Sequence, residues 1–268
     1  MSSIQKVILF CLSILSLALL IKSTPNVFPS GFFKLGEDEI HLLNRLFKNV
    51  IIISLSWIGI YKLALNNFAG LNSDKPWTNI HLVFVPSCLF LFGIFQWDSL
   101  DFNKIDLWSV VILVGYCLST GFSEELLFRG LINSLLLQKF FNLKNGVIKC
   151  ILASSFAFGL VHLFKFDKGV VGELTQVIYA FFYGVFYGAI LLRTNKIIPI
   201  AIIHGLNNFV FQFDLLSTET TEAVIESQGL VSQLTGAMFT TLLTLPLFIV
   251  GLYHLRIIER EKQKTNLI

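Results

Sequence analysis

Residues 106–138 read DLWSVVILVGYCLSTGFSEELLFRGLINSLLLQ, and this stretch decides the fold. As one α-helix it would extend roughly 50 Å, which is more than a single membrane crossing requires. Its middle holds a glycine and a serine beside two carboxylates, so we predict a bend, or two helical pieces broken at residues 121–123. In that arrangement Ser123 is the N-cap of the second piece, and Glu124 and Glu125 lie in its first turn.

Three charged side chains stand inside this apolar stretch: Glu124, Glu125 and Arg129. A charge placed centrally in a membrane helix costs about 2.5–3.5 kcal/mol on insertion scales. Such groups normally face a protein interior or a water-filled cavity and mark a function. We therefore take these three residues as the starting point for a functional site.

The composition of the whole chain indicates a membrane protein. Of its 268 residues, 54% are hydrophobic and 14% are charged, whereas soluble domains carry about 25% charged residues. The mean hydropathy is +0.74. We predict an all-α fold, a polytopic membrane helical bundle with about eight transmembrane helices, in one domain covering residues 1–268. The apolar stretches are 4–21, 47–65, 80–96, 106–138, 147–164, 173–193, 197–213 and 232–255.

The charge distribution fits a multi-pass protein of the cell membrane. The formal net charge is +3, and the basic residues occupy short loops and the tail, without the stripe typical of nucleic-acid binding. The positive-inside rule predicts a cytoplasmic tail and an outer acidic segment at 214–231. With eight crossings the N-terminus is cytoplasmic, and we expect stretch 4–21 to be an uncleaved first span. The basic residues of segment 22–48 oppose this orientation.

Helical geometry separates the roles of the two adjacent glutamates. Glu125 and Arg129 are four residues apart and share a face, so they can pair, whereas Glu124 points about 100° away from Glu125. We therefore expect Arg129 to hold Glu125, and Glu124 to face a cavity and water. The alternative is a charge pair that only fixes helix packing, which explains Glu125 and Arg129 but leaves Glu124 unexplained.

Two further apolar stretches carry polar groups one helical turn apart. Phe158 precedes His162 by four residues, and His204 precedes Asn208 by the same interval. His204 and Asn208 can donate hydrogen bonds toward a common point, as an oxyanion requires, and Phe158 is expected to shape a wall. Each histidine motif taken alone fits interhelical hydrogen bonding equally well, and we interpret Asn207 in that way.

The order of the three motifs resembles one family. Glu-Glu-x-x-x-Arg at 124–129, Phe-x-x-x-His at 158–162 and His-x-x-x-Asn at 204–208 look like the motifs of the CPBP family. This family comprises type II CAAX prenyl endopeptidases and bacteriocin-processing or self-immunity proteins. The resemblance covers about residues 106–213, and it rests on the ordered set because no single motif is specific.

The resemblance implies a glutamate-type intramembrane protease with an eight-helix bundle. By that analogy a glutamate and a histidine activate water for attack on the scissile carbonyl, and a histidine and an asparagine stabilise the oxyanion. The expected substrate is a membrane-associated or lipidated peptide or a prenylated protein, met within the lipid bilayer. The implied catalytic residues are Glu124, His162, His204 and Asn208, and the supporting residues are Glu125, Arg129 and Phe158.

No cofactor is expected, because water activation by glutamate and histidine needs no cation. The sequence lacks HExxH and the other short-spaced ligand sets of zinc enzymes. None of its cysteines, Cys11, Cys88, Cys117 and Cys150, forms a CxxC pair, which argues against a zinc knuckle. A zinc site assembled across several helices is the alternative.

Two other functions compete with proteolysis. Buried glutamate and histidine also form proton relays, which favours a proton-coupled transporter. A non-catalytic, bacteriocin-immunity-type membrane protein is the third hypothesis. The polar groups cluster in three segments rather than along a path across many spans, and the motif set is intact, so we favour the peptidase.

Overall fold

The computed structural model describes residues 3–31, 35–72, 74, 76–95, 97, 100, 102, 105–164, 168–216 and 229–265. Across these ranges the chain forms helices and connecting turns, so the all-α fold is confirmed. Much of the acidic segment 214–231, residues 217–228, lies outside them. We number the main helices α1 Ser3–Ser23, α2 Glu37–Lys62, α3 Ile80–Phe95, α4 Leu107–Phe140, α5 Gly146–Phe164, α6 Gly169–Thr194, α7 Ile197–Phe211 and α8 Leu230–Thr265.

The helices differ in their capacity to cross a membrane. Within the described ranges, 6 of them are long and apolar enough to do so, and α3 and α7 are shorter apolar helices. The chain is therefore a multi-pass integral membrane protein. Each of the predicted apolar stretches coincides with a helix, but two of the eight fall short of the usual spanning length of around 20 residues.

Helix α4 is continuous, so of the two predicted alternatives the division into two helical pieces at residues 121–123 is wrong. Its backbone is α-helical over Leu107–Glu124, π-helical over Glu125–Asn133 and α-helical again over Ser134–Phe140. The π-helical turns are wider than α-helical ones, so the helix changes its local geometry at Glu125–Asn133 without ending there. A break here would also leave backbone N–H and C=O groups to be satisfied in the middle of the bundle.

The predicted N-cap role of Ser123 is wrong for the same reason. Ser123 is buried inside the helix, where its hydroxyl donates to the backbone oxygen of Thr120 at 3.0 Å. The N-cap of α4 is Asp106, whose Oδ1 accepts hydrogen bonds from the backbone N–H groups of Trp108 at 2.7 Å and Ser109 at 3.1 Å. These are the donors that a helix N-terminus leaves without intrahelical partners.

The packing places the π-helical segment in the centre of the bundle. Helix α4 packs against α2 and α7, while α6 packs against α5 and α8. The segment Glu125–Asn133 touches α2, α5, α6 and α7, and all 9 of its residues are buried. Its charged side chains consequently lie among protein groups instead of lipid, as intramembrane charges require.

A close approach of two glycines brings α4 and α7 together. A Cβ atom added to Gly121 would lie 2.5 Å from the backbone oxygen of Ala201 and 2.6 Å from the backbone nitrogen of Gly205. Small residues at such crossings let helix backbones approach closely in membranes. The contact lies one turn from Glu124 on α4 and beside His204 on α7, so it sets the distance between these two side chains.

Candidate active site

The π-helical segment of α4 holds a buried ion pair. Nη1 of Arg129 lies 3.2 Å from Oε1 of Glu125, and their side chains are 3% and 0% exposed. The guanidinium carbon of Arg129 lies 4.3 Å from the centroid of the Phe158 ring. The positive charge is thus enclosed between a carboxylate and an aromatic face, and both interactions favour arginine. The arrangement matches the pairing expected from the spacing of Glu125 and Arg129.

His204 on α7 lies between the two adjacent glutamates. Its Nδ1 is 2.7 Å from Oε1 of Glu125, and its Nε2 is 3.7 Å from Oε2 of Glu124. The ring of Tyr187 on α6 stacks on the imidazole, with ring centroids 5.4 Å apart and an interplanar angle of 27°. The hydrogen bond and the stacked ring together fix the orientation of His204.

The contact with Glu125 determines which atoms of His204 are available for chemistry. A carboxylate accepts hydrogen bonds, so Nδ1 of His204 carries a hydrogen and donates it to Glu125. Nε2 then faces Glu124 either with a lone pair or with a second proton. A carboxylate that orients a catalytic histidine in this manner is a recurrent device in hydrolases. Glu125 therefore contacts both Arg129 and His204, and the second contact had not been expected.

Glu124 differs from Glu125 in its surroundings. Its side chain is 14% exposed, and its Oε1 lies 3.6 Å from Nζ of Lys22 at the end of α1. It is the last residue before the π-helical segment, and it lines a cavity that Glu125 does not line. The two carboxylates thus point in different directions, one into the protein and one toward open space, as the helical geometry predicted.

His162 approaches the same cavity from α5. It lies in the short 3₁₀ turn Val161–Phe164, and its Nδ1 donates to the backbone oxygen of Phe158 at 2.9 Å. In the neutral ring this hydrogen bond leaves the lone pair on Nε2. The ring packs edge-on against Phe158 at 5.1 Å between centroids, and the Phe158 ring also lies 6.4 Å from that of His204. Phe158 is therefore a packing centre for Arg129 and both histidines.

One cavity joins the predicted catalytic side chains. Its volume is about 1850 Å³, and its lining includes Glu124, His162, His204 and Asn208. Small-molecule sites usually measure roughly 300–1,000 Å³, so this space suits a longer ligand. Phe158 contributes to the wall, while Glu125 and Arg129 lie behind it. Apolar residues of α1, α3 and α8 also line the cavity, including Leu15, Leu19, Leu89, Phe92 and Leu243.

Several neighbours of the site were not expected from the sequence. Nδ2 of Asn207 donates to the hydroxyl of Tyr183 at 3.1 Å, which fits the interhelical role expected of Asn207. Tyr179, Tyr183 and Tyr187 are spaced four residues apart on α6, and this regular spacing was a readable signal of one polar helix face. Lys22 gave no comparable signal, because nothing in the sequence connects it with residues a hundred positions away.

The described part of the chain does not bring together a set of side chains suited to bind a metal ion. Over those residues, no group of three or more His, Cys, Asp or Glu side chains is placed to hold a metal ion. In the site, His204 lies between Glu124 and Glu125, and these two carboxylates also pair with Lys22 and Arg129. Two cations beside the carboxylates would oppose the binding of a further cation. That the site needs no metal ion stays a prediction.

Comparison with known proteins relates the central part of the chain to a described family. Residues 106–210 match the family model described as Rce1-like, type II CAAX prenyl endopeptidase Rce1-like. All three motifs lie in this segment, and the resemblance predicted from them is confirmed. Because this is a family of proteases, the match supports peptide hydrolysis as the class of reaction. No curated protein and no solved structure matches the chain.

Proposed function

We propose that this protein is an intramembrane endopeptidase that hydrolyses a peptide bond of a membrane-associated or lipidated peptide. The observation that carries the proposal is the position of His204, which has Glu125 at one ring nitrogen and Glu124 at the other, at the wall of a cavity. His162 and Asn208 line the same cavity, and the family match supports the reaction class. The chain acts as one domain, in the cell membrane.

The first chemical step is attack by water. Glu124 takes one proton from a water molecule, assisted by the Nε2 lone pair of His162, as the water oxygen bonds to the scissile carbonyl carbon. General-base assistance of this kind contributes about 10²–10⁴-fold to rate. The general base must contact both the water and the substrate. Glu124 can do so because it lines the cavity, whereas Glu125 does not.

The second step is stabilisation of the negative oxygen in the tetrahedral intermediate. When the His204 ring carries a proton on both nitrogens, its Nε2 donates a hydrogen bond to this oxygen. The side-chain amide of Asn208 donates a second one. Glu125 compensates the charge of the protonated His204 through Nδ1, at 2.7 Å. The C–N bond then breaks, and the proton held by Glu124 passes to the leaving nitrogen. Donors fixed in advance are the usual source of such stabilisation.

The size and lining of the cavity support the substrate class. The space of about 1850 Å³ joins polar groups around Glu124 to apolar side chains of α1, α3 and α8. A peptide segment requires the polar part, and a lipid or prenyl chain fits the apolar part. Such a substrate would enter from the bilayer. We therefore favour a lipidated peptide or a prenylated protein of the CAAX type.

The test of this function is a proteomic comparison of cells that produce the wild type or Glu124→Gln. The glutamine variant keeps the size of the side chain but removes its basicity. We expect at least one membrane-borne peptide to accumulate uncut with Glu124→Gln. When the purified wild type cuts the unlabelled peptide in H₂¹⁸O, the new carboxyl group should carry one ¹⁸O atom. If the glutamine variant supports the same phenotype and the same peptide pattern, binding instead of hydrolysis is the function.

A further inference from the structure

A lysine from the first helix lies at the candidate catalytic carboxylate. Nζ of Lys22 is 3.6 Å from Oε1 of Glu124, and Nε2 of His204 is 3.7 Å from Oε2 of the same side chain. The two oxygens of Glu124 therefore face two different nitrogens, contributed by α1 and α7. Lys22 lies outside residues 106–210, so neither the motifs nor the family match gives it a role.

The end of α1 is tied to α2, which holds Lys22 in place. Nζ of Lys48 donates to the backbone oxygens of Thr24 at 2.6 Å and Lys22 at 3.4 Å. Lys22 lies in the last turn of α1 and Thr24 directly follows the helix, so the ammonium of Lys48 lies at the helix C-terminus, where a cation is favourable. The buried amide of Asn44 accepts from the backbone N–H of Val27 at 2.8 Å. The turn after α1 is thus fixed to α2 at two points.

Helix α2 is in turn fixed to α4 directly beside Glu124. Nδ2 of Asn49 donates to the hydroxyl oxygen of Thr120 at 2.9 Å, and Oγ of Ser123 lies 3.3 Å from Oδ1 of Asn49. A continuous series of polar contacts therefore runs from the Lys22 backbone through α2 to the residue before Glu124. This series holds the end of α1 beside the turn of α4 that carries Glu124.

The Lys22–Glu124 contact is poorly suited to a purely structural role. The Lys22 side chain is 41% exposed, and exposed ion pairs contribute little to stability. Helix α1 also packs little against the rest of the protein, and only a small part of its apolar stretch is buried. Helix α1 lines the cavity with apolar side chains such as Leu15 and Leu19, and its cation Lys22 lies at the carboxylate that the proposed mechanism uses as a base.

We propose that Lys22 is a positioning residue of the peptidase site. Its ammonium holds Oε1 of Glu124, so that Oε2 faces His204 and the water to be activated. This inference rests on the proposed function and extends it, because it makes α1 part of the active site. A misplacement of about 1 Å of a catalytic group lowers rates by as much as 10²-fold, so an effect on turnover is expected.

The test uses purified protein in lipid nanodiscs and a mixture of internally quenched peptides, half of them farnesylated at a cysteine. On the peptide that the wild type cuts fastest, Lys22→Met should lower kcat by about 10-fold or more and leave KM nearly unchanged. Lys22→Arg should recover most of the activity, because it restores the positive charge. Lys6→Met is the matched control, since it removes an exposed lysine from the other end of α1.

The outcomes separate this inference from the function itself. Full kcat in Lys22→Met overturns the positioning role, as does an increase in KM alone, which would assign Lys22 to substrate binding. Failure of Lys22→Arg to recover activity, together with a lower unfolding temperature, would make the role structural and would also overturn it. Glu124→Gln is measured in parallel. If it retains activity, or if the wild type cuts none of the peptides, the proposed function fails and the role of Lys22 fails with it.

Discussion

Nδ1 of His204 lies 2.7 Å from Oε1 of Glu125, and this hydrogen bond joins α7 to the π-helical segment of α4. It connects the histidine motif to the acidic motif and makes Glu125 a partner of both His204 and Arg129. Because Nδ1 is occupied in this way, Nε2 is the His204 nitrogen that faces Glu124 and the cavity.

Substitution of Glu125 by glutamine should reduce turnover. The amide oxygen of glutamine still accepts from Nδ1, but it no longer compensates a positive charge on His204. We expect kcat to fall by about 10²-fold, within the range found when one oxyanion donor is weakened. The measurement is kcat of the folded, size-exclusion-purified variant. In the Glu125→Gln background, His204→Ala should lower kcat less than it does alone, because the two residues act as a unit. Additive losses would contradict this coupling.

Substitution of Arg129 by methionine should destabilise the protein. The change leaves the carboxylate of Glu125 buried without its cation, and breaking a buried pair typically costs about 3–5 kcal/mol. We expect a lower unfolding temperature in detergent micelles.

The control for Arg129 is Arg193→Met. Arg193 pairs with Glu261 at 3.0 Å, and the Glu261 side chain is 59% exposed. Removal of that surface pair should change stability by about 0–1 kcal/mol. Equal losses of stability in the two variants would show that the buried Arg129–Glu125 pair stabilises the protein no more than the surface pair does.

Substitution of Gly121 by alanine should separate α4 from α7. The new Cβ would lie 2.5 Å from the backbone oxygen of Ala201, and backbone atoms can move only if the helices move. We expect a loss of about 1–3 kcal/mol in stability, as for other overpacked sites, together with a lower kcat. Gly236→Ala on α8 is the control for stability, because nothing lies within 4 Å of its Cβ position. An unchanged Gly121→Ala variant would contradict the proposed role of this helix contact.

Chelation of metal ions should leave the activity intact. The proposed water activation depends on Glu124 and His162, and neither requires a metal. We expect the same initial rate of peptide cleavage before and after dialysis against EDTA, and no increase on addition of zinc. Loss of activity on chelation, followed by recovery with zinc alone, would replace this mechanism with a metal-assisted one.

Much of the fold was predictable because hydrophobicity and helical spacing are local properties. The apolar stretches located the helices, and the interval of four residues predicted the contact between Glu125 and Arg129. The continuity of α4 was not predictable, because a glycine and a serine end a helix in water, while a packed bundle favours an unbroken backbone. Ser123 instead donates to the backbone oxygen of Thr120 and contacts Asn49.

The composition of the site was predictable in part. The ordered motifs singled out Glu124, His162, His204 and Asn208, and the structure lines one cavity with them. The contacts of Lys22 and Tyr187 depend on how separate helices are placed in three dimensions, which periodicity along one helix does not encode. The bond between Glu125 and His204 depends on the same placement, although both residues had been identified.

The most direct test of the central claim is the kcat of Glu124→Gln in nanodiscs, beside that of Glu261→Gln. Both substitutions remove one carboxylate, but Glu261 is exposed and pairs with Arg193 away from the cavity. We expect Glu124→Gln to lower kcat by about 10²–10⁴-fold without a change in unfolding temperature, and Glu261→Gln to retain wild-type turnover. Wild-type turnover in a folded Glu124→Gln variant would contradict the assignment of Glu124 as the base.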